Sequence, residues 1–127
     1  MSAEAGQGPG LRVLLVEDEI MVALLAERML AELGCRVIGP AARLDKALEL
    51  AERHAFDLAI LDININGKKV YPVAAALAAR GIPFVFTTGY GKARVCDRYR
   101  DRPTVQKPYR VEDLRTAIAA AYGRGGR

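Results

Sequence analysis

The chain has 127 residues, 51% of them hydrophobic and 27% charged, with a formal net charge of +4. That is one domain of ordinary globular composition, which excludes a disordered polymer. No apolar run reaches the ~20 residues of a membrane-spanning helix, and MSAEAGQGPG lacks the basic and apolar segments of a secretory signal, so a cytoplasmic place without membrane contact is expected.

Residues 1–10 read as a disordered leader, 11–122 as the folded domain and 123–127 as a flexible tail. LRVLLV (11–16) is a continuous apolar run, the pattern of a strand buried on both faces. Val22, Leu25, Met29 and Leu33 then recur at helical spacing, and Gly34 ends that helix. CRVIG (35–39) is a second strand closed by Gly39-Pro40, with Cys35 expected as a small core hydrophobe. Leu44, Ala47, Leu48 and Ala51 place a helix over 43–53, and His54 falls at its solvated end.

FDLAILD (56–62) is a third strand, with Asp62 at its carboxyl end. A polar loop containing Gly67 leads to a helix over 71–80, where Pro72 suits the first turn. IPFVFT (82–87) is a fourth strand. The charged stretch 91–101 is only weakly helical, TVQK (104–107) is a short fifth strand, and Leu114, Ala117, Ile118 and Ala121 mark the last helix. Strand and helix alternate five times, which predicts a doubly wound (βα)5 fold of the flavodoxin-like type: a five-stranded parallel sheet with helices on both faces. Ligands of such sheets bind beyond the carboxyl ends of the strands.

The polar residues at those ends are Glu17, Asp18 and Glu19, then Asp62 and Asn64, then Thr87 and Thr88, then Lys107. Converging carboxylates repel unless a cation joins them, and an all-oxygen set suits Mg²⁺. A carboxylate flanked by Mg²⁺, an ammonium and a hydroxyl is placed to attack a phosphoryl group, since those partners hold its oxygens. Glu17 and Glu19 have a plainer reading as first-turn helix acids favoured by the helix dipole. Asp62 resists a purely structural reading, because a carboxylate after an apolar strand needs a partner.

In sequence order, VEDE, LDIN around Asp62, TTGY and Lys107-Pro108 fall on this βα pattern. In this the chain resembles the receiver domains of bacterial two-component response regulators over about residues 11–122. FVFTTGY is similar to the Phe-Ala-Thr-Gly-Tyr/Phe branch common among alphaproteobacterial receivers. The resemblance implies that Asp62 is the phosphoacceptor, fed by a sensor histidine kinase or a histidine phosphotransfer protein. It implies Mg²⁺ held by Asp18 directly, by Glu17 through water, by Asp62 and by the backbone carbonyl of Asn64. Thr88 and Lys107 would contact the phosphoryl oxygens, and Pro108 would follow a cis peptide that sets the direction of the lysine.

The family's aromatic switch position is Thr104 here, which makes Tyr90 the replacement candidate. The interval from Thr88 to Lys107 is short for the family, so an abbreviated fourth helix is expected. Function on this reading is that of a single-domain response regulator signalling through a downstream protein partner, as a phosphorelay shuttle, a sink or a regulator. It is no enzyme beyond its own aspartyl phosphorylation and dephosphorylation. Two other readings compete. A Mg²⁺-dependent phosphohydrolase of the haloacid dehalogenase type needs a second Asp two residues after the nucleophile, where this chain has Asn64. A nucleic-acid-binding module would use Lys92, Arg94, Arg98, Arg100 and Arg102, but only Tyr99 interleaves them as a stacking ring, which argues against it.

Overall fold

Consecutive apolar residues make strands that can be covered on both faces, and the computed structural model of the protein, which describes residues 10–89 and 95–125, shows that arrangement. The elements run β1 (Arg12–Val16), α1 (Ile20–Glu32), β2 (Arg36–Ala41), α2 (Leu44–Arg53), β3 (Leu58–Asp62), β4 (Asn64–Ile65), β5 (Lys68–Lys69), α3 (Tyr71–Ala79), β6 (Phe84–Thr88), a 3-10 helix (Asp97–Tyr99), β7 (Thr104–Gln106) and α4 (Val111–Gly125). The main sheet has the order β2-β1-β3-β6-β7 and every pairing in it is parallel. No helix among the described residues is long and apolar enough to cross a membrane.

Successive side chains of each strand enter opposite layers. Val13, Leu15, Leu58, Ile60, Val85 and Val105 pack beneath α1 and α4, against Ala26, Leu30, Leu114 and Ile118. Leu14, Val16, Ala59, Leu61, Phe84 and Phe86 pack beneath α2 and α3, against Ala47, Ala51, Val73 and Leu77. At ~1.5–3 kcal/mol for each large side chain fully buried, these two layers are the main favourable term in folding.

The structure departs from the sequence expectations at four places. The buried stripe of α1 is Ala23, Ala26 and Leu30, with Leu33 just beyond, one position off the Val22, Leu25, Met29 stripe. Small alanines let the helix sit close to the sheet, and a helix apolar nearly all round leaves periodicity no means to choose its face. Strand β2 does not stop at Gly39-Pro40 but runs to Ala41, through an irregularity in its pairing with β1 between Leu14 and Val16. The polar loop after Asp62 is a small antiparallel hairpin, β4–β5, turning at Asn66-Gly67. Helix α4 continues to Gly125, past the residue-122 boundary.

The expected short fourth helix is, among the described residues, the single 3-10 turn at 97–99. Four aromatic rings occupy the layer there. Tyr71 stacks on Tyr99 at 5.9 Å, and Phe84 and Phe86 meet Tyr99 at 5.7 and 5.9 Å. The Cys96 N–H donates to the Tyr71 hydroxyl at 3.0 Å, fixing the start of the turn.

Gly39 makes the β2 irregularity possible. Its φ is +102°, and a Cβ there would lie 2.8 Å from the Ala41 nitrogen and 3.0 Å from the Leu15 carbonyl oxygen. Gly67 also has positive φ, +81°, but a Cβ there meets nothing within 4 Å. Gly39→Ala should therefore lower the unfolding free energy by about 3 kcal/mol or more, strain and clash together, and Gly67→Ala by about 1 kcal/mol. Denaturant melts check this; equal losses at the two positions would contradict it.

Candidate functional site

Parallel strands end together, so the residues just past β1, β3, β6 and β7 share one edge of the sheet. Glu17 and Asp62 are 3% and 5% exposed there, and Asp18 is half-buried. One carboxylate oxygen from each of Glu17, Asp18 and Asp62 lies within 4.8 Å of the other two. Lys107 Nζ sits 2.9 Å from Asp62 Oδ2, 3.1 Å from Glu17 Oε1 and 3.5 Å from Glu19 Oε1. The lysine is directed there by its own backbone, whose N–H donates to the Thr88 carbonyl at 2.8 Å, and the Lys107–Pro108 peptide is cis.

Each acid also accepts one backbone N–H. Glu17 Oε2 takes that of Glu19 at 3.0 Å, Asp62 Oδ1 that of Asn64 at 3.2 Å, and Asp18 Oδ2 that of Asn66 at 2.8 Å. These bonds aim the carboxylates and rule out the helix-acid reading of Glu17. Helix α1 begins at Ile20, has no acid in its first turn, and takes no side-chain cap from Glu19.

Burial, with charge crowding behind it, shows in the protonation equilibria. Burial pushes the Glu17 carboxyl up to about 7; the Glu19 N–H opposes this, the Asp62 charge adds to it, and Lys107 lowers it. Burial alone would depress the Lys107 ammonium, but its bond to Asp62 and the charges of Asp62 and Glu17 hold it above its ordinary range. The buried Tyr109 hydroxyl is raised to about 12, by burial first and by the Glu17 charge second. Acids that need neutralising, with only oxygen donors offered, fit a hard divalent cation such as Mg²⁺.

The structure thus brings together Glu17, Asp18, Asp62 and Lys107, with Asn64 adjoining through its N–H. Thr87 pairs with Asp62 across β3–β6, and Thr88 ends β6 on the face of Phe86; both are buried. Thr104 pairs with Phe86 and spends its hydroxyl on the Arg102 carbonyl at 3.2 Å, so no aromatic occupies that position. Tyr90, the switch candidate, lies outside the described residues, as do Lys92 and Arg94. Sequence reasoning missed Asn66, Tyr109 and the reach of Glu19 to Lys107. For Asn66 a signal was present, because Asn-Gly is the preferred pair of a tight hairpin turn.

A five-stranded parallel sheet of order 2-1-3-4-5 in its main strands, with acids after the first and third and a lysine after the last, defines a receiver domain. The response regulator receiver domain family matches residues 13–119, and the chain belongs to it. The transcriptional regulatory protein PdtaR of Mycobacterium tuberculosis is 33% identical over 117 residues, 89% of this chain and 57% of PdtaR, so the chain spans little more than half of that relative. SdrG of Sphingomonas melonis Fr1 is 41% identical with a TM-score of 0.81, covering 91% of this chain and 98% of SdrG. The receiver domain of the sensor histidine kinase PA1611 of Pseudomonas aeruginosa, with magnesium coordinated in its active-site cleft, is 26% identical with a TM-score of 0.77, covering 90% of this chain and 98% of that one. Receiver domains bind Mg²⁺ in the acidic pocket, interact with histidine kinases and downstream partners, and serve phosphorylation-dependent signalling.

The raised Glu17 carboxyl gives a stability signature. The folded state keeps this proton between the ordinary 4.5 and about 7, so Glu17 contributes stability below that window that is lost as pH rises through it. Without divalent metal, the melting temperature of wild type relative to Glu17→Gln should fall between about pH 5 and pH 8. A difference that is flat or grows with pH would contradict the assignment.

Proposed function

We propose that this domain receives a phosphoryl group on Asp62 from the phosphohistidine of a sensor histidine kinase or histidine phosphotransfer protein, and signals to a downstream protein. The observation that carries this is Asp62 itself, a buried carboxylate at a strand end, 2.9 Å from Lys107 and beside Glu17 and Asp18. A carboxylate oxygen of Asp62 attacks phosphorus, the P–N bond to imidazole breaks, and the imidazole leaves with its nitrogen lone pair. Lys107 then pairs with a phosphoryl oxygen in place of Asp62 Oδ2, and the Thr88 hydroxyl takes another. Asp18, Asp62, the Asn64 carbonyl and, through water, Glu17 would hold Mg²⁺, which when bound would supply positive charge to the phosphoryl oxygens.

The competing readings fit less well. Position 64 offers an amide where a phosphohydrolase needs its acid–base carboxyl. Within the basic stretch Arg100 is paired with Asp97 at 2.8 Å, and Arg102 and Arg98 lie over the Phe84 and Tyr99 rings at 4.3 and 5.6 Å. Those guanidiniums serve the protein's own packing, which disfavours a nucleic-acid surface. A cytoplasmic place belongs to the same reading.

The face turned to the phosphodonor is the outer side of α1. Ile20 and Met21 are 75% and 70% exposed, with Leu24 and Leu25 exposed beside them. An apolar cluster of this kind marks an interaction surface. It continues into a groove of about 300 Å³ lined by Val22, Leu25, Met29, Tyr109, Glu19 and Lys107, the last two belonging to the charged site itself. A donor covering this face brings its histidine over Asp62.

With Mg²⁺ and acetyl phosphate, intact-mass analysis should show one phosphoryl group on wild type and none on Asp62→Asn. An unmodified wild type, or equal labelling of both, ends the reading. Met21→Lys with Leu24→Lys should slow transfer from a phosphorylated protein donor about tenfold or more, as loss of apolar anchors at an interface does, and leave acetyl phosphate labelling unchanged. Equal slowing with both donors would place the defect in the site rather than in docking. Asp18→Asn should weaken Mg²⁺ binding more than Glu17→Gln, and a metal titration giving the reverse order would overturn the division of roles.

A further inference from the structure

Of the three backbone N–H groups that aim the acids, two are local. Glu17 and Asp62 each take theirs from two residues further along the chain, whereas Asp18 takes its N–H from Asn66, 48 positions away. Asn66 opens the turn of the β4–β5 hairpin, between Ile65 and Lys68, which pair with each other. A two-residue hairpin turn with positive φ at both central residues uses the flanking residues for its ladder and leaves the first central N–H pointing outward. That leftover donor reaches Asp18.

The rest of the hairpin is built to hold it still. Asn66 has a φ of +52°, the only positive φ at a non-glycine residue among the described residues. Its side-chain Nδ2 donates to the Ala42 carbonyl at 3.0 Å. Ala42 follows Ala41, whose own carbonyl accepts the Glu17 N–H at 3.0 Å, so the segment beyond the Gly39 irregularity braces both the acidic edge and the hairpin tip. Ile63, Ile65 and Val70 are buried on either side of the turn, and the Val70 N–H closes the base onto the Ile63 carbonyl at 2.8 Å.

We propose that Asn66 is a positioning residue for the acidic site: its backbone N–H, aimed by the left-handed turn and the tie to Ala42, holds one Asp18 oxygen so that the other faces a divalent cation. The proposal rests on the reading of the site as the Mg²⁺ site of a receiver domain. Groups that orient a metal ligand in this way set affinity as well as geometry, and their loss costs about 10–100-fold in metal binding. The bland alternative, that Asn-Gly is only turn chemistry, accounts for the positive φ but not for an N–H donated to an acid of the distant β1–α1 loop.

Three variants separate these readings in Mg²⁺ titrations by calorimetry, each with its melting temperature measured with and without the metal. Asn66→Gly keeps the N–H and adopts positive φ without strain, and gives up only the side-chain tie to Ala42, so it should bind Mg²⁺ slightly more weakly than wild type and more tightly than the other two variants. Asn66→Ala keeps the N–H but strains the turn, and should bind several-fold more weakly. Asn66→Pro removes the N–H and cannot hold that φ, and should lose about 10–100-fold. The rise in melting temperature caused by Mg²⁺ should shrink in the same order. If Asn66→Pro does not fold, Asn66→Ala against Asn66→Gly decides. Variants that melt lower without metal yet bind Mg²⁺ like wild type would overturn the proposal, because the residue would then serve only the fold. A wild type that binds no Mg²⁺ would instead defeat the reading of the site on which the proposal stands.

Discussion

Everything at the working end of this domain depends on carboxylates held closer together than they would choose to be. Glu17, Asp18 and Asp62 present oxygens within 4.8 Å of one another, two of them almost fully buried. Two like charges about 4 Å apart repel by about 4 kcal/mol at an effective dielectric near 20. One lysine reaches Asp62 and Glu17 and extends to Glu19, and it cannot neutralise the whole set. Burial of the same set pushes the Glu17 carboxyl up to about 7, and the Asp62 charge adds to that rise. A site in this condition has a standing use for a second cation.

The fold supplies the force that keeps the acids there. Parallel strands covered on both faces are anchored by their apolar interiors, so their carboxyl ends cannot drift apart without opening the core. Lys107 is set by a backbone bond from its N–H to the Thr88 carbonyl, which joins the cation to the end of strand β6. On the face of β6 that carries Phe84 and Phe86 a cluster of aromatic rings packs, with Tyr71 directly after the hairpin and Tyr99 in the 3-10 turn. The acidic edge, the hairpin and this ring cluster are therefore contiguous, and a change of charge at Asp62 has short routes into both.

Much of this is legible in the sequence. LRVLLV, FDLAILD and IPFVFT could only be strands buried on both sides, and alternation with helices then brought Glu17, Asp62 and Lys107 to one edge. The face of α1 was not legible, because Ala23 and Ala26 lie inside while Leu24 and Leu25 lie outside, which inverts what hydrophobicity alone would choose. The run of β2 to Ala41 was hidden by Gly39-Pro40, which reads as a stop but here carries an irregular strand onward. At Asn66-Gly67 the turn carried its own signal, but the strands beside it did not, since two-residue strands such as Lys68–Lys69 have no periodicity to detect. The link from Asn66 to Asp18 spans a distance along the chain that local pattern cannot see.

Lys107 is the counter-charge that lets the acids share one site while leaving room for a divalent cation, and this role can be measured. It is tested most directly by the thermal stability of Lys107→Met against wild type near neutral pH, with and without Mg²⁺. Removing one partner of a buried pair typically costs about 3–5 kcal/mol, so the metal-free variant should melt well below wild type. Mg²⁺, entering a site with more uncompensated negative charge, should then raise the variant's melting temperature by more than it raises that of wild type. A Lys107→Met variant as stable as wild type without metal, with the same gain on adding it, would contradict the account.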